Sequence, residues 1–292
     1  MDDSPLEDRV VVVTGAARGV GAALAHQLAR RGAHLALLDH DEPALRATAA
    51  ALPATTLALR VDVTDGAALD DAAVTVRGRL GPPSVVVANA GIAESGPFAR
   101  SDPATWRRVI DVNLIGSAQT ARAFLPDLIR TAGYHLQIAS LASIGAAPLM
   151  SAYCASKSGV EAFAHALRAE TAHHGVAVGI AYLGWTDTQL IRDANRHRTM
   201  RELRAHMPPP AGHVQPVEPV AVRLAHTVEQ RRTVVYIPRW LRLTQLTRAA
   251  IPPLVLRATR RTLPRLESER PLHSTGLLGP GAIPPEPRDG TY

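Results

Sequence analysis

Cysteine, lysine, asparagine and long apolar runs are all scarce in this chain of 292 residues. The single cysteine, Cys154, leaves no partner for a disulfide within the chain and excludes a Cys/His metal cluster, so we expect no metal site. One thiol is typical of a reducing compartment, and we expect a cytoplasmic protein. Residues 1–9 are polar and acidic, and nowhere do eighteen apolar residues follow one another. The sequence therefore predicts neither a secretion signal nor a membrane span.

Aromatic residues make up only 4% of the chain, and neither an aromatic-basic RNA motif nor a zinc-finger spacing is present. The net charge is +6, but residues 231–265 carry nine arginines and no acidic residue, which leaves about −3 for the rest. The basic character belongs to one short segment, so we expect no nucleic-acid partner. With 46% hydrophobic and 20% charged residues, the chain can bury a sizeable core.

Lysine occurs once, at position 157, among 32 basic residues, and asparagine occurs only at positions 89, 113 and 195. Together with abundant alanine, this is typical of a GC-rich genome that replaces lysine by arginine wherever either serves. Arginine is a planar fork, whereas lysine is a compact charge on a thin stem. Lys157 therefore marks a position where arginine does not serve, unless it has survived by chance.

Short apolar runs alternate with amphipathic helical patterns along most of the chain. We predict strands at 9–13, 34–39, 56–61, 84–88, 134–139, 176–182 and 233–237. The helices are predicted at 20–31, from 42, from 65, at 103–130, 152–174 and 219–230. Continuously apolar strands alternating with helices indicate an α/β fold, a Rossmann-type doubly wound parallel sheet of about seven strands with helices on both faces. We assign this domain to residues 1–238.

Three segments lie outside the repeating pattern. Residues 184–213 form a long, polar insertion beside the predicted carboxyl edge of the sheet, where such insertions are usually functional. Within it, the Arg/His-rich segment 192–213 is either a substrate lid or a solvated loop. Residues 239–270 read as a basic helical extension, and 271–292, rich in Gly and Pro, as a disordered tail.

The extension has one apolar helical face, with arginines around the rest of the helix and Pro252-Pro253 breaking the run. That face consists of Trp240, Leu243, Thr247, Ala250 and Leu254. Such a helix either packs over the substrate pocket or a partner subunit, or lies on anionic lipid through residues 239–265, at the inner membrane face. Both interpretations suit a bulky apolar substrate.

A glycine-rich turn, Thr14-Gly15-Ala16-Ala17-Arg18-Gly19-Val20-Gly21, follows the first predicted strand. Glycines there let backbone N–H groups approach a pyrophosphate, and the next helix offers its positive N-terminal end. The spacing departs from the usual G-x-G-x-x-G because position 24 is leucine. Asp39, 20 residues after Gly19, ends the second strand, where a carboxylate binds the ribose hydroxyls of NAD and repels the 2′-phosphate of NADP. A helix N-cap is the alternative role for Asp39, and Arg18 favours NADP instead.

Tyr153 and Lys157 are four residues apart at the start of a predicted helix and so share one face. A phenol is a poor base at neutral pH, but an adjacent cation lowers its pKa, so the pair can donate and accept a proton. Ser140 closes the strand that precedes them, and its hydroxyl can hold a substrate carbonyl oxygen. The alternative is a surface Tyr and Lys without function.

These residues and three further motifs resemble the short-chain dehydrogenase/reductase family over residues 8–238. The glycine turn is similar to the cofactor loop of the family, Asp62 to its adenine contact, and Asn89-Ala90-Gly91 to its fourth-strand motif. Its catalytic tetrad is matched by four residues: Asn113, Ser140, Tyr153 and Lys157. Two of the three asparagines and the one lysine thus fall on family positions.

The resemblance implies nicotinamide-dependent oxidation of an alcohol, or reduction of a ketone or aldehyde. It implies that Tyr153 passes the proton, Lys157 binds the nicotinamide ribose and keeps Tyr153 acidic, Ser140 orients the oxygen and Asn113 anchors a relay water. The cofactor contacts that we predict are Gly15, Ala17, Arg18, Gly19, Val20, Gly21, Asp39, Asp62, Val63, Asn89, Ala90, Gly91, Tyr153, Lys157, Gly184, Thr186 and Thr188.

Two positions depart from the pattern of the family. Leu183-Gly184 stands where Pro-Gly is usual, although Thr188 matches the threonine that follows, and Ala88 replaces a frequent asparagine. We expect an NAD-dependent oxidoreductase of a bulky, apolar, secondary alcohol. The alternatives are an NADPH-linked carbonyl reductase and an NAD(H)-binding sensor or scaffold without turnover. The resemblance also implies a homodimer or homotetramer that associates through helices at 113–130 and 152–174.

Overall fold

The computed structural model describes residues 4–269 and 271–279, and a parallel β-sheet lies at its centre. Its strands, in chain order, are β1 (Val10–Thr14), β2 (His34–Asp39), β3 (Thr56–Arg60), β4 (Val85–Ala88), β5 (Ala93–Glu94), β6 (Tyr134–Ser140), β7 (Ala177–Leu183), β8 (Val234–Ile237) and β9 (Leu277–Leu278). Seven of them form one sheet in the order β3-β2-β1-β4-β6-β7-β8, and every neighbouring pair is parallel. The predicted fold class is thereby confirmed.

Helices cover both faces of this sheet. They are α1 (Gly19–Ala29), α2 (Glu42–Ala50), α3 (Gly66–Arg79), α4 (Pro103–Ile110), α5 (Gly116–Arg130), α6 (Leu141–Ile144), α7 (Ser151–Thr171), α8 (Gln189–Ala194), α9 (Arg198–Ala205), α10 (Val217–Glu229), α11 (Leu241–Leu246) and α12 (Ile251–Glu269). Alternate residues of β1 show the layering: Val11 and Val13 join the cluster that includes α1 and α10, and Val10 and Val12 join the one with α3 and α5. A strand buried on both faces must be apolar throughout, which explains the continuous apolar runs.

Aspartates begin three of the helices. Asp41, Asp65 and Asp102 each accept a hydrogen bond from the backbone N–H three residues on, at 3.1, 3.0 and 2.9 Å. This capping satisfies donors that the first turn of a helix leaves unpaired. Because Asp41 caps α2, the neighbouring Asp39 is left for another role.

The carboxyl ends of the strands define one edge of the sheet. Strand order runs outward in both directions from the β1/β4 pair, so the connections after these two strands leave toward opposite sides. Such a reversal opens a crevice beyond the carboxyl ends, which is the usual ligand site of an open α/β sheet. Thr14, Asp39, Ser140 and Leu183, the last residues of their strands, all reach this edge.

The extension after β8 differs from the single helix that we predicted. α11 ends at Leu246, residues 248–250 form a 3₁₀ turn, and α12 continues to Glu269. Pro252 and Pro253 do not break a helix here but lie in the first turn of α12, where their missing N–H groups have no intrahelical partner to lose. None of the helices in 4–269 and 271–279 is long and apolar enough to cross a membrane.

The expected disordered tail is wrong for residues 271–279. β9 pairs antiparallel with β5, and Leu272 and Leu278 are buried. The N–H of Thr275 donates to the carbonyl of Ser95 at 2.7 Å, which extends the pairing. Two buried leucines and these hydrogen bonds together hold the stretch against the domain. Residues 280–292 of the predicted tail lie outside the described residues.

Candidate active site

The turn after β1 adopts backbone angles that require glycine. Gly15 and Gly19 have φ of +65° and +57°, and a Cβ on Gly21 would lie 2.1 Å from the carbonyl oxygen of Gly15. Side chains at these three positions would be strained or would collide with the turn. The turn therefore keeps its backbone open to the crevice, with the N-terminal end of α1 directly behind it.

Thr14 and Asn89 tie the ends of β1 and β4 together across the crevice. The Asn89 side-chain amide donates to the carbonyls of Thr14 and Gly15, at 2.9 and 3.1 Å. In return, the Thr14 hydroxyl accepts from the backbone N–H groups of Asn89 and Ala90, at 3.0 and 3.2 Å. These bonds fix the floor on which a dinucleotide would lie.

Asp39 is buried at the end of β2, and its two carboxylate oxygens already have partners. One oxygen accepts from the N–H of Ala17 at 3.0 Å, and the other from the N–H of Asp41 at 3.0 Å. His40 lies 3.0 Å from the second oxygen, and this hydrogen bond raises the pKa of its imidazole. Arg18, at the mouth, forms an ion pair of 2.6 Å with Asp41. The carboxylate of Asp39 is therefore held rigidly, beside two potential cations.

Asp62 follows β3 and forms an ion pair that the sequence did not predict. Arg108 donates to its carboxylate at 2.6 Å and to the Thr64 hydroxyl at 2.9 Å. Burial favours a higher pKa for Asp62, but hydrogen bonds from Thr64 and Arg108 outweigh it, and the pKa is lowered. Both Asp62 and Arg108 line the same cavity, so the guanidinium belongs to the candidate adenine end of the site.

Ser140, Tyr153 and Lys157 line the opposite end of this cavity. The Ser140 hydroxyl lies close enough to the Tyr153 phenol to favour its ionised form. Lys157 is 5% exposed, donates to the carbonyl of Ile138 at 3.1 Å, and lies 5.9 Å from the centre of the Tyr153 ring. The first turns of α7 and the end of β6 thus bring together a phenol, a hydroxyl and an ammonium.

The expected lowering of the Tyr153 pKa by Lys157 is not found. Burial raises the pKa of the Tyr153 phenol, and the hydrogen bond with Ser140 offsets this only in part. Burial also lowers the pKa of Lys157 to about 8. Desolvation by burial is the largest effect on the pKa of both groups, because both lie away from water. At neutral pH the pair is therefore a protonated phenol beside a charged lysine, ready to donate a proton.

Asn113 lies deeper, in a π-helical turn at Asp111–Ile115 between α4 and α5. Its amide donates to the carbonyl of Ile92 and to the Ser156 hydroxyl, both at 2.9 Å, and its side-chain oxygen accepts from the N–H of Ile92 at 2.9 Å. The side chain is fully buried and fully paired. It therefore positions α4, α5 and α7 around the site rather than facing the cavity. Single-turn π-helices are frequent at functional sites.

The structure brings most of the predicted site residues to one cavity. Three do not line it: Ala17, Gly21 and Asn113 act from behind its wall. The predicted residues that line it are Gly15, Arg18, Gly19, Val20, Asp39, Asp62, Val63, Asn89, Ala90, Gly91, Ser140, Tyr153, Lys157, Gly184, Thr186 and Thr188. The backbone of Gly91 lies close to Lys157, because a Cβ on Gly91 would be 3.5 Å from the Lys157 ammonium. A nicotinamide dinucleotide fits this set of residues, with glycine backbone at the pyrophosphate and Lys157 at the far ribose.

A second, largely apolar pocket adjoins this cavity, and Ser140 and Tyr153 belong to both. Its other walls are Ala93, Leu141, Ala142, Gly145, Ala147, Met150, Gly184, Trp185, Leu190, Ile191, Met200, Met207 and Leu278. Three methionines supply a wall that can adapt its shape. Met200 and Met207 come from the segment 192–213, which therefore closes over the pocket at least in part.

Sequence reasoning missed several lining residues, notably His40, Arg108 and the wall of the apolar pocket. His40 carried a signal, since it directly follows Asp39 at the carboxyl edge. Arg108 and Leu278 carried none, because only the packing of α4 and β9 brings them to the cavities.

Comparison with known proteins agrees with this geometry. The model of the short chain dehydrogenase family matches residues 9–199. "Probable oxidoreductase EphD" of Mycobacterium tuberculosis is 34% identical over 195 residues, which are 65% of this chain and 33% of that protein. The chain thus spans about a third of the length of that relative. "Acetoacetyl-CoA reductase" of Synechocystis is 34% identical over 202 residues, 68% of this chain and 81% of that protein.

The fold also has a solved counterpart, a short-chain type dehydrogenase/reductase from Mycobacterium marinum. The TM-score is 0.71 at 24% identity, over 79% of this chain and 94% of the other. With the family match, the glycine turn, and the grouping of Ser140, Tyr153 and Lys157, these likenesses lead to one assignment. The chain belongs to the short chain dehydrogenase family.

Proposed function

We propose that the protein is an NAD-dependent oxidoreductase that interconverts a bulky, apolar, secondary alcohol and its ketone, with Tyr153 as acid and base. The carrying observation is that the dinucleotide cavity and the apolar pocket meet at Ser140 and Tyr153. A substrate in the apolar pocket would then present its oxygen to the phenol and hydroxyl while its carbon faces the cofactor cavity. Family membership supports the reaction class.

The chain's own residues account for binding and proton transfer. Ser140 and Tyr153 would hold the substrate oxygen, and Tyr153 would give its proton to that oxygen in reduction or remove it in oxidation. Lys157 would hold the ribose hydroxyls next to the nicotinamide and place positive charge near the phenolate. When bound, the nicotinamide supplies or accepts the hydride. The apolar walls would exclude water from this step.

Turnover of a graded alcohol series tests the proposal. Wild-type protein is given NAD⁺ or NADP⁺ with secondary alcohols from small to steroid-sized, and reduced nicotinamide is followed by its ultraviolet absorbance. We expect turnover with large apolar alcohols and NAD⁺, and a loss of at least about 100-fold in Tyr153→Phe, since the acid-base group is gone. Tyr236→Phe is the matched control, because the half-buried Tyr236 side chain lines neither the cavity nor the apolar pocket. Turnover by Tyr153→Phe equal to that of the wild type would refute the role of Tyr153 as acid and base.

NADPH-linked carbonyl reduction is a second candidate, and the mouth of the cavity favours it. Asp39 already accepts two backbone N–H bonds, and Arg18 and His40, whose pKa is raised, line the cavity beside it. A 2′-phosphate there would meet the Arg18 guanidinium and the His40 imidazole, together with the carboxylates of Asp39 and Asp41. Against it, the buried charge of Asp39 repels phosphate.

Protection against thermal unfolding separates the two cofactors without a substrate. If NAD is the cofactor, NAD⁺ raises the melting temperature at a lower concentration than NADP⁺ does. Asp39→Asn should then bring the two protecting concentrations closer together. Asp70→Asn, an exposed carboxylate on α3, should leave it unchanged. Stronger protection by NADP⁺ that is lost in Arg18→Ala would replace NAD by NADP in the proposal.

We also propose that the protein is a homodimer or homotetramer. Its exposed small side chains on α7, at Ala155, Ser158, Ala162 and Ala166, recur on one helical face. Small residues on one face allow two helices to approach closely, and α5 beside it exposes Ile129. This supports association through α5 and α7.

A further inference from the structure

We infer that the exposed face of α11, the 248–250 turn and α12 binds the surface of an anionic lipid membrane. We call this face, formed by the exposed side chains of residues 239–265, the arginine-leucine surface. The inference goes beyond the proposed reaction, because it concerns where the protein docks and needs no turnover.

Four leucines of this surface are exposed. Leu243, Leu246, Leu254 and Leu256 are 66%, 75%, 64% and 55% exposed. They are four of the ten most exposed large hydrophobic side chains in the part of the chain that the structure describes, while the other six are scattered from Val74 to Val234. Leucines concentrated in one short segment indicate an interaction surface, whereas single ones do not.

The same segment also exposes positive charge. Arg239, Arg242, Arg257, Arg260 and Arg261 are exposed, and none forms an ion pair with another described residue. No acidic residue occurs between 231 and 265 to neutralise them. Long arginine stems can lie along an apolar layer while the guanidinium reaches phosphate. A surface that exposes both leucines and arginines is therefore complementary to an acyl layer bordered by anionic headgroups.

The segment that carries this surface is anchored to the rest of the protein. Leu241 is fully buried, and the buried carboxylate of Glu161 accepts hydrogen bonds from Gln245 at 3.0 Å and Arg248 at 2.9 Å. Farther along, Glu267 and Glu269 pair with Arg100 and Arg198. The α12 helix packs through one face, with Val255, Thr259, Leu263 and Leu266 turned inward, and shows its arginines to solvent.

Charge also argues against the other occupants. A second copy of the chain placed symmetrically would set arginines against arginines with no carboxylate between them, which costs binding energy. Nucleic acid would meet the arginines but leave four leucines against a polar, wet interface. An anionic membrane satisfies both the arginines and the leucines.

The arginine-leucine surface begins at the rim of the apolar pocket. Gly145 lines that pocket, and a Cβ on it would lie 3.0 Å from the side chain of Ile251, the first residue of α12. Arg248 also donates to the carbonyl of Ser143 at 3.2 Å. Docking would therefore bring the pocket next to the lipid phase.

Vesicle sedimentation of the full chain tests the inference. Wild-type protein is mixed with vesicles of phosphatidylcholine alone, or of one part phosphatidylglycerol to two parts phosphatidylcholine. We expect sedimentation with the anionic vesicles only, and its loss at high salt, since screening weakens headgroup attraction. The triple variant Arg257→Gln/Arg260→Gln/Arg261→Gln should bind roughly 100-fold more weakly, about fivefold for each arginine.

Two matched controls keep the test specific. Arg9→Gln/Arg30→Gln/Arg79→Gln removes the same charge from exposed positions elsewhere and should keep at least half of the wild-type binding. Leu246→Ser/Leu254→Ser should weaken binding at least tenfold, whereas Val74→Ser/Val222→Ser should not. All variants must unfold at the wild-type temperature, which the exposure of these side chains predicts.

The outcomes decide between occupants. No binding to anionic vesicles, equal binding to both compositions, or equal loss in the two arginine triples would each overturn the inference. So would a fall in the molecular mass of Leu246→Ser/Leu254→Ser in solution with vesicle binding unchanged, because the leucines would then serve self-association. Failure of these tests leaves the proposed oxidoreductase activity untouched, since that depends on Tyr153 and the cofactor cavity.

Discussion

Lys157 is the single lysine among 32 basic residues, and it lines the candidate site. Its scarcity marked position 157 in the sequence, and the structure places its ammonium against Gly91 in the cavity. The sequence could not give its surroundings. The pairing of Tyr153 with Lys157 could be predicted from their spacing. The predicted lowering of the Tyr153 pKa was wrong, because the desolvation of a group depends on which helices cover it.

Lys157 makes folding stability depend on pH. Its pKa is about 8 in the folded protein and near its usual, higher value in the unfolded chain. The unfolded chain then binds more protons above about pH 8, so stability rises with pH, by at most about 1.4 kcal/mol per unit up to about pH 10. We expect the free energy of unfolding of wild type, minus that of Lys157→Met, to rise over this range in urea titrations without cofactor. Ser158→Ala should keep the wild-type slope; a flat difference would show that Lys157 is not desolvated.

His135, fully buried in β6, makes folding stability depend on pH in the acid range. Burial lowers the pKa of its imidazole to about 4, against a weaker effect of Gln137. Between about pH 6.5 and 4 the unfolded chain binds the extra proton, so stability falls as the pH falls, by at most about 1.4 kcal/mol per unit. His135→Leu should remove this acid loss in denaturant titrations, while His26→Leu, on the exposed side of α1, should retain it. A parallel acid loss in both variants would contradict the prediction.

At the scale of elements, the central strands and the helices around them could be predicted closely. Alternation of apolar strands with helical patterns fixes their order, and the predicted limits of the seven sheet strands differ from the observed ones by at most one residue. The apolar pattern did not predict two elements whose formation depends on a few specific contacts. The π-turn at Asn113 depends on hydrogen bonds with Ile92 and Ser156, and β9 depends on pairing with β5, a partner some 180 residues away.

The β5/β9 pair should be a local unit of stability. Truncation after Glu269 removes β9, and we expect the amide of Ser95, which donates to the Thr275 hydroxyl at 3.0 Å, to exchange with solvent at least tenfold faster, because its hydrogen-bond partner is removed. Hydrogen exchange followed by mass spectrometry measures this. Truncation after Gly279 keeps β9 and is the control. Unchanged exchange in the shorter variant would mean that β9 adds no protection.

At the scale of the whole molecule, the body is mildly acidic and the extension strongly basic. The parallel sheet sets the cofactor cavity at one edge, and the first residue of α12, Ile251, lies against Gly145 at the rim of the neighbouring pocket. Composition alone located the charge asymmetry, whereas the two-helix shape of the extension followed only from the packing of Leu241 and Glu161.

Assembly through α7 is the prediction that belongs to the whole molecule. Ala162→Arg puts a long charged side chain on the face of small residues, and we expect it to lower the molecular mass in sedimentation from dimer or tetramer to monomer. Ala47→Arg, exposed on α2, should leave the mass unchanged. A monomeric wild type, or an Ala162→Arg variant of unaltered mass, would exclude this interface.

The antiparallel pairing of β9 with β5 also sets the order in which the protein is completed during synthesis. Ala93 emerges from the ribosome long before Leu278, although both line the apolar pocket. The seven-stranded sheet, finished at Ile237, can therefore form on a chain whose pocket still lacks one wall. The nascent protein would acquire its cofactor cavity first and its apolar pocket last, so that hydrophobic molecules meet an open cleft until β9 has been made.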